Sequence, residues 1–251
     1  MSDPSRIDAI ATRWSLIREA HAEGRPENAA AARQMLVLRY SKSIRRYIGG
    51  IVKNGEDADE LAQDAVVRLM KGDFAGADPN RGRFRDLLKT AVRNMVHSHW
   101  AKQNRRKTKD VELDLVASSE ESDPQWDSAF QLNVLEHAWS ALRDFEKKTP
   151  TNPAHTILKL RADFPDATSE ELAAKLSAKT SVPVRADAGR QMLRRARLRF
   201  AEALVNEVTL GLAEPTPARV AEEFASLGLL EYVKDFLPAD WNATGKLMDG
   251  N

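Results

Sequence analysis

Residues 58–70 read ADELAQDAVVRLM, and this stretch decides the fold class. Its apolar side chains recur at intervals of three and four residues, which is the period of one face of an α-helix. The stripe consists of Ala58, Leu61, Ala62, Ala65, Val66, Leu69 and Met70. The spacing predicts an amphipathic helix that buries this stripe against neighbouring helices.

The segments on either side of this helix carry the same pattern. Residues 27–52 and 84–100 repeat the helical spacing, and residues 5–21 predict one more helix near the N-terminus. Turns that contain Gly or Pro separate these segments. Because short connections join amphipathic helices, we predict a compact helical bundle over residues 1–109.

A second helical region is predicted beyond a polar connector. Residues 110–127 are acidic and aperiodic, so we expect an acidic linker there. Residues 128–210 contain a helix that begins with the capping box Thr168-Ser169-Glu170-Glu171, followed by an Arg-rich helix from Asp187. This order is typical of a helix-turn-helix domain.

The predicted fold is therefore all-α, with an N-terminal helical bundle joined by an acidic linker to a C-terminal helix-turn-helix domain. Residues 211–251 predict a helical extension beyond that domain, with an apolar face of its own. No convincing alternating strand pattern occurs in the sequence.

Composition excludes several classes of protein. The chain has no cysteine, which rules out disulfides and thiolate metal sites. No apolar run approaches the roughly 20 residues that cross a bilayer, and the first residues lack the apolar stretch of a secretory signal. We therefore expect a cytoplasmic protein without a membrane partner.

Sequence motifs give no indication of an enzyme. The histidines show no metal-ligand spacing, and no Gly-rich phosphate-binding loop occurs. We expect no catalytic residue, no metal and no cofactor.

Charge is segregated along the chain, although its net value is only +1. Residues 81–109 hold ten Lys or Arg against one acidic residue, and residues 110–146 hold ten Asp or Glu against one Arg. A second basic block covers residues 185–199. Such blocks repel themselves, so they favour an oppositely charged partner, and nucleic acid is the leading candidate. Solvated helix faces are the alternative.

The first basic block predicts a ladder of side chains that can neutralise successive phosphates. The ladder recurs every four residues, on the face away from the apolar stripe of its helix, and consists of Arg85, Lys89, Arg93 and His97. Asn94 and the ring of Trp100 can add base hydrogen bonds or stacking on an unpaired strand. For Trp100 the alternative is core packing.

The second basic block predicts a reader helix that enters the major groove by its N-terminal end. Its candidates for contact with bases or phosphates are Arg190, Gln191 and Arg194. Further arginines can hold the phosphate backbone, namely Arg185, Arg195, Arg197 and Arg199.

Three stretches resemble bacterial RNA polymerase sigma factors of the extracytoplasmic-function group. Residues 56–69, EDADELAQDAVVRL, resemble the polymerase-binding helix of that family. Residues 82–94, GRFRDLLKTAVRN, are similar to its promoter-melting helix. Residues 193–200, LRRARLRF, resemble the end of its upstream-promoter recognition helix. The C-terminal half also resembles variants common in planctomycete-type genomes.

The resemblance implies a sigma factor whose partners are core RNA polymerase and promoter DNA, and it leaves open an anti-sigma factor or other regulatory protein. The implied polymerase-binding residues are Asp57, Glu60, Gln63, Asp64 and Arg68. The implied contacts to the unpaired strand of the minus-ten element come from the loop at residues 78–83, which contains Arg81 and Arg83, and from Asn94, His97 and Trp100. The nearby backbone would be held by Arg105 and Arg106, and the minus-thirty-five element would be read by Arg190, Gln191 and Arg194.

Two features depart from the family pattern. The connection at residues 180–183 is enlarged, and Gly189 stands where a β-branched residue is usual, which weakens the helix by about 0.5–1 kcal/mol relative to Ala. Two other interpretations remain open. A helix-turn-helix regulator that acts without polymerase predicts specific duplex binding by the isolated chain, and a helical adaptor protein predicts no salt-dependent association with DNA.

Overall fold

The computed structural model describes residues 26–71, 83–107, 123–212 and 215–234. This part of the chain is helical throughout and contains no strand, which confirms the predicted all-α class. None of its helices is long and apolar enough to cross a membrane. Its helices are α1 (Pro26–Ile51), α2 (Gly55–Lys71), α3 (Phe84–Lys107), α4 (Pro124–Lys148), α5 (Ala154–Asp163), α6 (Ser169–Thr180), α7 (Ala186–Thr209), α8 (Pro217–Ser226) and α9 (Leu230–Val233). The helix predicted over residues 5–21 lies outside the described residues.

The described helices belong to two compact units. The first unit comprises described residues up to 133 together with residues 209–227, and the second comprises residues 134–208 and the described residues from 228 onward. This division differs from the predicted segments 1–109, 110–127, 128–210 and 211–251. The boundary falls inside α4, and α8, which belongs to the predicted extension, is part of the first unit.

In the first unit, α1 packs against α2 and α3, and α2 also contacts α3. The predicted stripe of α2 faces this core through Ala58, Leu61, Ala62, Ala65 and Leu69, which are all buried. Met70 is 46% exposed because it lies at the outer end of the stripe, one residue before the helix ends. The helix begins where the Oδ1 atom of Asn54 accepts a hydrogen bond of 2.9 Å from the backbone N–H of Glu56.

The start of α4 belongs to the core of the first unit, although residues up to 127 are part of the predicted linker. The Oδ1 atom of Asp123 accepts a hydrogen bond of 3.2 Å from the backbone N–H of Trp126, and Pro124 is the first helical residue. The ring of Trp126 is 1% exposed and lies 5.1 Å from Tyr47 and 6.3 Å from Phe130, between ring centroids. The linker prediction was therefore wrong for residues 124–127.

Helix α8 also contributes to the first unit. The side chain of Thr216 caps it by accepting a hydrogen bond of 3.3 Å from the backbone N–H of Arg219, and Pro217 follows as the first helical residue. Val220 and Phe224 are fully buried. Two residues of the face that the sequence predicts as apolar are thus buried.

The second unit has a core of its own, formed by α5, α6 and α7 with the C-terminal part of α4. Its central side chains are Leu142, Ile157, Leu160, Leu172, Leu176, Leu193 and Ala196. The predicted capping box is confirmed: Thr168 Oγ1 accepts from the N–H of Glu171 at 3.2 Å, and the Glu171 carboxylate accepts from the N–H of Thr168 at 2.8 Å.

The connection between α6 and α7 is held by backbone and side-chain contacts. Ser181 ends α6 in the left-handed region, with φ of 57°. The backbone N–H of Val184 then donates a hydrogen bond of 2.8 Å to Ser177 Oγ. A Cβ atom at Gly189 would lie 3.5 Å from the Cβ atom of Ala173, which is an ordinary van der Waals distance. The first turn of α7 therefore runs close to α6.

Candidate nucleic-acid interface

One flank of α2 carries four of the five predicted polymerase-binding residues. Asp57, Glu60, Asp64 and Arg68 follow one another at intervals of three or four residues and therefore share a face. Glu60, Asp64 and Arg68 are exposed, as is Gln63. Asp57 is half-buried, and its Oδ2 atom accepts a hydrogen bond of 2.6 Å from Gln103 Nε2 and lies 3.4 Å from His99 Nε2. This contact ties the flank to α3.

A polar groove of about 310 Å³ lies between α2 and α3. Its α2 wall is formed by Glu60, Leu61, Asp64 and Arg68, and its α3 wall by Asn94, Met95, Ser98, His99 and Lys102. Asn94 thus lies beside the acidic flank of α2, although the sequence groups it with the basic ladder. The groove brings predicted polymerase-binding and DNA-binding residues to one place.

The basic ladder turns around α3 instead of following one face. Successive residues of an α-helix are about 100° apart, so a step of four residues overshoots a full turn by about 40°. From Arg85 to His97 the ladder therefore turns by about 120°, from the side of α3 that faces the core toward the side that faces solvent. Arg85 is consequently buried, with 6% of its side chain exposed, whereas Lys89, Arg93 and His97 are half-buried. The prediction of one exposed face was wrong at Arg85.

Arg83 and Arg85 are held by acidic residues of α8. Arg83 Nη2 lies 2.9 Å from Glu222 Oε1, and Arg83 Nη1 lies 2.7 Å from Glu223 Oε2. Arg85 Nε lies 3.0 Å from the other oxygen of Glu223. Both guanidinium groups also donate to Ser226 Oγ, at 3.1 Å and 2.8 Å. Glu223 thus bridges two predicted DNA-binding residues.

The first turn of α4 adds a second acidic contact to the ladder. Arg85 Nη1 donates to Asp127 Oδ1 at 3.3 Å, and the guanidinium carbon lies 5.8 Å from the centre of the Phe130 ring. Burial raises the pKa of the Asp127 carboxyl, and the charges of Arg85 and Lys89 oppose this increase. Burial, followed by the hydrogen bond to Asp123, also raises the pKa of Tyr47.

The C-terminal half of α3 carries a pair of aromatic rings in contact. The rings of His97 and Trp100 meet edge to face, with centroids 5.6 Å apart, and both side chains are half-buried. Trp100 is therefore neither fully packed in the core nor fully open to solvent. Arg105 and Arg106 belong to the last turns of α3, and Arg81 lies outside the described residues.

These surfaces fall in one stretch of chain for which a comparison with known families gives a match. Residues 36–106 match the family model of sigma-70 region 2. This region 2 segment spans less than a third of the chain and takes in most of α1, all of α2 and α3 as far as Arg106. The match supports a sigma-70 family factor. No curated protein and no solved structure matches the chain.

Beyond region 2, the second unit presents the other basic surface. Arg190, Arg194 and Arg197 share one flank of α7 through intervals of four and three residues, and all three are exposed. Gln191 and Arg195 are also exposed. No described acidic residue pairs with these three flank arginines. The surface is therefore open to an anionic partner.

Two further arginines near this flank have partners within the second unit. Arg185 is 89% exposed and lies 3.6 Å from Asp187. Arg199 stacks over the ring of Phe145, with its guanidinium carbon 3.9 Å from the ring centre. Among the described residues there is no His, Asp and Glu cluster that could hold a metal ion.

The sequence does not predict the acidic partners of Arg83 and Arg85. Glu222, Glu223 and Ser226 follow region 2 by more than a hundred residues, and no periodic pattern links them to α3. The only available signal is that α8 combines an apolar stripe with adjacent carboxylates. That combination predicts an amphipathic helix, but it does not indicate which surface the helix covers.

Proposed function

We propose that this chain is a sigma factor of the extracytoplasmic-function group. In this proposal it binds core RNA polymerase and directs promoter recognition, DNA melting and transcription initiation in the cytoplasm, without catalysing a reaction itself. The observation that carries the proposal is the region 2 match over residues 36–106. The segment with this match contains an exposed acidic flank and a basic helix side by side.

The acidic flank of α2 is the proposed docking surface for polymerase. Glu60, Asp64 and Arg68 are exposed and lie on a helix whose opposite side is buried in the first unit. A charged flank held on a rigid helix can orient a partner without refolding. Electrostatic complementarity of this kind acts mainly on specificity and on the rate of association.

The outer side of α3 is the proposed contact for the unpaired strand. Lys89 and Arg93 supply positive charge for phosphates, and the partly exposed ring of Trp100 offers a surface on which a base can stack. Extruding a base costs a few kcal/mol of pairing and stacking energy. Capture of the extruded bases offsets this cost, so melting requires no catalytic side chain.

Helix α7 is the proposed reader of the upstream promoter element. Arg190 and Gln191 lie in its N-terminal half, and Arg194 follows one turn later on the flank of Arg190. In a helix-turn-helix domain the N-terminal end of the second helix enters the major groove. The contact between Val184 and Ser177 fixes the chain just before this helix, and the exposed arginines then provide both base and phosphate contacts.

Reconstituted transcription with core polymerase tests the proposal. Asp64→Arg should weaken polymerase binding at least tenfold, which corresponds to about 1.4 kcal/mol, because it reverses a charge in the docking flank. Asp144→Arg is the control, since Asp144 is 56% exposed on α4 and lies outside the region 2 segment. The control should bind polymerase and start transcription like the wild type.

The same measurements separate the alternatives. Wild-type affinity of a folded Asp64→Arg variant for polymerase would contradict the assigned docking flank. Tight duplex binding by the isolated chain, without any effect of polymerase, would favour a helix-turn-helix regulator. DNA association that is absent at every salt concentration would favour a helical adaptor protein.

A further inference from the structure

Two carboxylates of α8 form ion pairs with the guanidinium groups of two arginines at the start of α3. Glu222 binds the outer arginine, Arg83, and Glu223 binds Arg83 through one oxygen and Arg85 through the other. Ser226 accepts a hydrogen bond from each arginine. All of these residues belong to the first unit.

The chemistry of this contact is that of a phosphate site. Arginine presents planar N–H donors that match the paired oxygens of either a carboxylate or a phosphate, and two adjacent guanidiniums favour an anion with several oxygens. Glu222, Glu223 and Ser226 together present such a set of oxygens. The arginines cannot satisfy α8 and a DNA backbone with the same donors.

We propose that α8 is a built-in competitor of single-stranded DNA for Arg83 and Arg85. The proposal rests on the proposed function, because these two arginines are candidate contacts to the melted promoter strand. When α8 is docked, its carboxylates hold the donors. When a DNA phosphate takes the donors, the acidic side of α8 is displaced.

The two ion pairs differ in how easily DNA can replace them. The Glu222 side chain is 68% exposed and that of Arg83 is 25% exposed, so water and salt weaken this outer pair. The inner pair of Arg85 and Glu223 is 6% and 7% exposed, and breaking it leaves a buried charge unless another anion replaces the carboxylate. The outer pair therefore opens first.

The apolar face of α8 keeps the competitor close to its site. Val220 and Phe224 are fully buried, while Glu222 projects into solvent. A tethered helix of this kind acts at a high local concentration, so it can oppose DNA without high intrinsic affinity. Loss of the carboxylate charges should release Arg83 while the apolar contacts remain, and Arg85 keeps Asp127 as an acidic partner.

Binding of a single-stranded oligonucleotide to the full chain, followed by fluorescence anisotropy over a range of salt concentrations, tests this competition. The double variant Glu222→Gln/Glu223→Gln should bind several-fold more tightly than the wild type. Arg83 is the guanidinium that becomes available in this variant, because Arg85 stays buried and keeps Asp127 as a partner. The slope of log affinity against log salt should therefore steepen by about 0.7, the contribution of one neutralised phosphate of a single strand.

The control is the double variant Asp166→Asn/Glu170→Gln, which also removes two negative charges and lies outside α8. Both side chains are exposed and belong to the second unit, so any effect there reports net charge alone. The control should leave the salt slope unchanged. If the double variant does not fold, the exposed single variant Glu222→Gln takes its place and should steepen the slope by less than the double variant, because Glu223 still holds Arg83 at 2.7 Å.

Hydrogen exchange provides a second measurement, because coupling between two ligands is reciprocal. Saturating the wild type with the oligonucleotide should increase amide exchange in residues 217–226 and leave that of α6 unchanged. A folded double variant whose salt slope equals that of the control would overturn the proposal. Unchanged or increased protection of the α8 amides in the presence of DNA would also overturn it.

Failure of this inference can be distinguished from failure of the proposed function. If the wild type supports polymerase-dependent transcription while the variants bind DNA like the control, only the competition is refuted. If the wild type supports no transcription with core polymerase, the sigma-factor proposal fails whatever the oligonucleotide measurements give.

Discussion

Replacing Trp126 with Ala is expected to lower the free energy of unfolding of the first unit by about 3–5 kcal/mol. The indole is 1% exposed and fills the space between Tyr47 and Phe130. The loss combines the transfer of a large apolar ring to water with the cavity that remains. We expect the upper half of this range, because neighbouring rings are too rigid to fill the cavity.

A second substitution separates the ring from its polar atom. Among the described residues, none accepts a hydrogen bond from the buried Trp126 Nε1 atom, and an unsatisfied buried donor costs about 1–3 kcal/mol. Trp126→Phe removes this donor but also loses part of the buried ring. The two effects oppose each other, so this variant should remain within about 1.5 kcal/mol of the wild type.

Urea unfolding followed by far-UV circular dichroism measures both variants. Leu38→Ala is the surface control, since Leu38 is 69% exposed on α1 of the same unit, and it should change the stability by no more than about 0.5 kcal/mol. A Trp126→Ala variant as stable as this control would show that α4 does not close the core of the first unit. A Trp126→Phe variant as unstable as Trp126→Ala would refute the assignment of an unsatisfied donor.

Three further substitutions test local features. Gly189→Ala should stabilise the chain by about 0.5–1 kcal/mol, because the new Cβ atom meets Ala173 at an ordinary 3.5 Å; Gly49→Ala, with open space around it, should show the gain from helix propensity alone in the same urea titration. Burial lowers the pKa of His155 from its ordinary 6.5, so its contribution to stability should be full above that pH and be lost as the pH falls through the folded-state pKa. Unfolding titrations on both sides of this pH should show a smaller decrease for His155→Phe. Thr168→Ala should cost about 1 kcal/mol by removing the cap, with faster amide exchange in the first turn of α6, and unchanged exchange would contradict the role of the capping box.

Periodicity predicted the helices because each buries one continuous stripe. Five residues of the predicted α2 stripe, from Ala58 to Leu69, are buried, while Val66 is half-buried. The capping box at Thr168 marks the start of α6. Both signals are local, since they depend on residues within one or a few helical turns. Local signals of this kind are the part of a fold that a single sequence carries most directly.

At the start of α4, the linker prediction followed the acidic composition and overlooked a local helix-start signal. The acidic, aperiodic stretch before it predicts a linker, but Asp123 and Pro124 form a helix start at its end. The residue that follows closely, Trp126, is too large and apolar for an exposed connector. A cap, a Pro at the first helical position and a large aromatic residue could therefore have located this boundary.

The candidate site was predictable in its charges but not in its pairings. The exposure of Asp64 and of Arg194 follows from their place opposite an apolar stripe. The burial of Arg85 follows from the drift of a four-residue repeat around a helix, which the sequence contains once the true helical period is used. Its partner Glu223 could not be predicted, because tertiary contacts between distant segments leave no periodic trace in one sequence.

The first unit draws on two separate stretches of the chain. A fragment that ends at residue 109 would lose Trp126 and Phe224, two of the largest fully buried side chains, and would remove the carboxylates of Asp127 and Glu223 from Arg85. A chimera that grafts region 2 into another scaffold would therefore need the opening turns of α4 and the whole of α8 as well. The transferable unit is therefore discontinuous in sequence, since its described residues end at 133 and resume at 209.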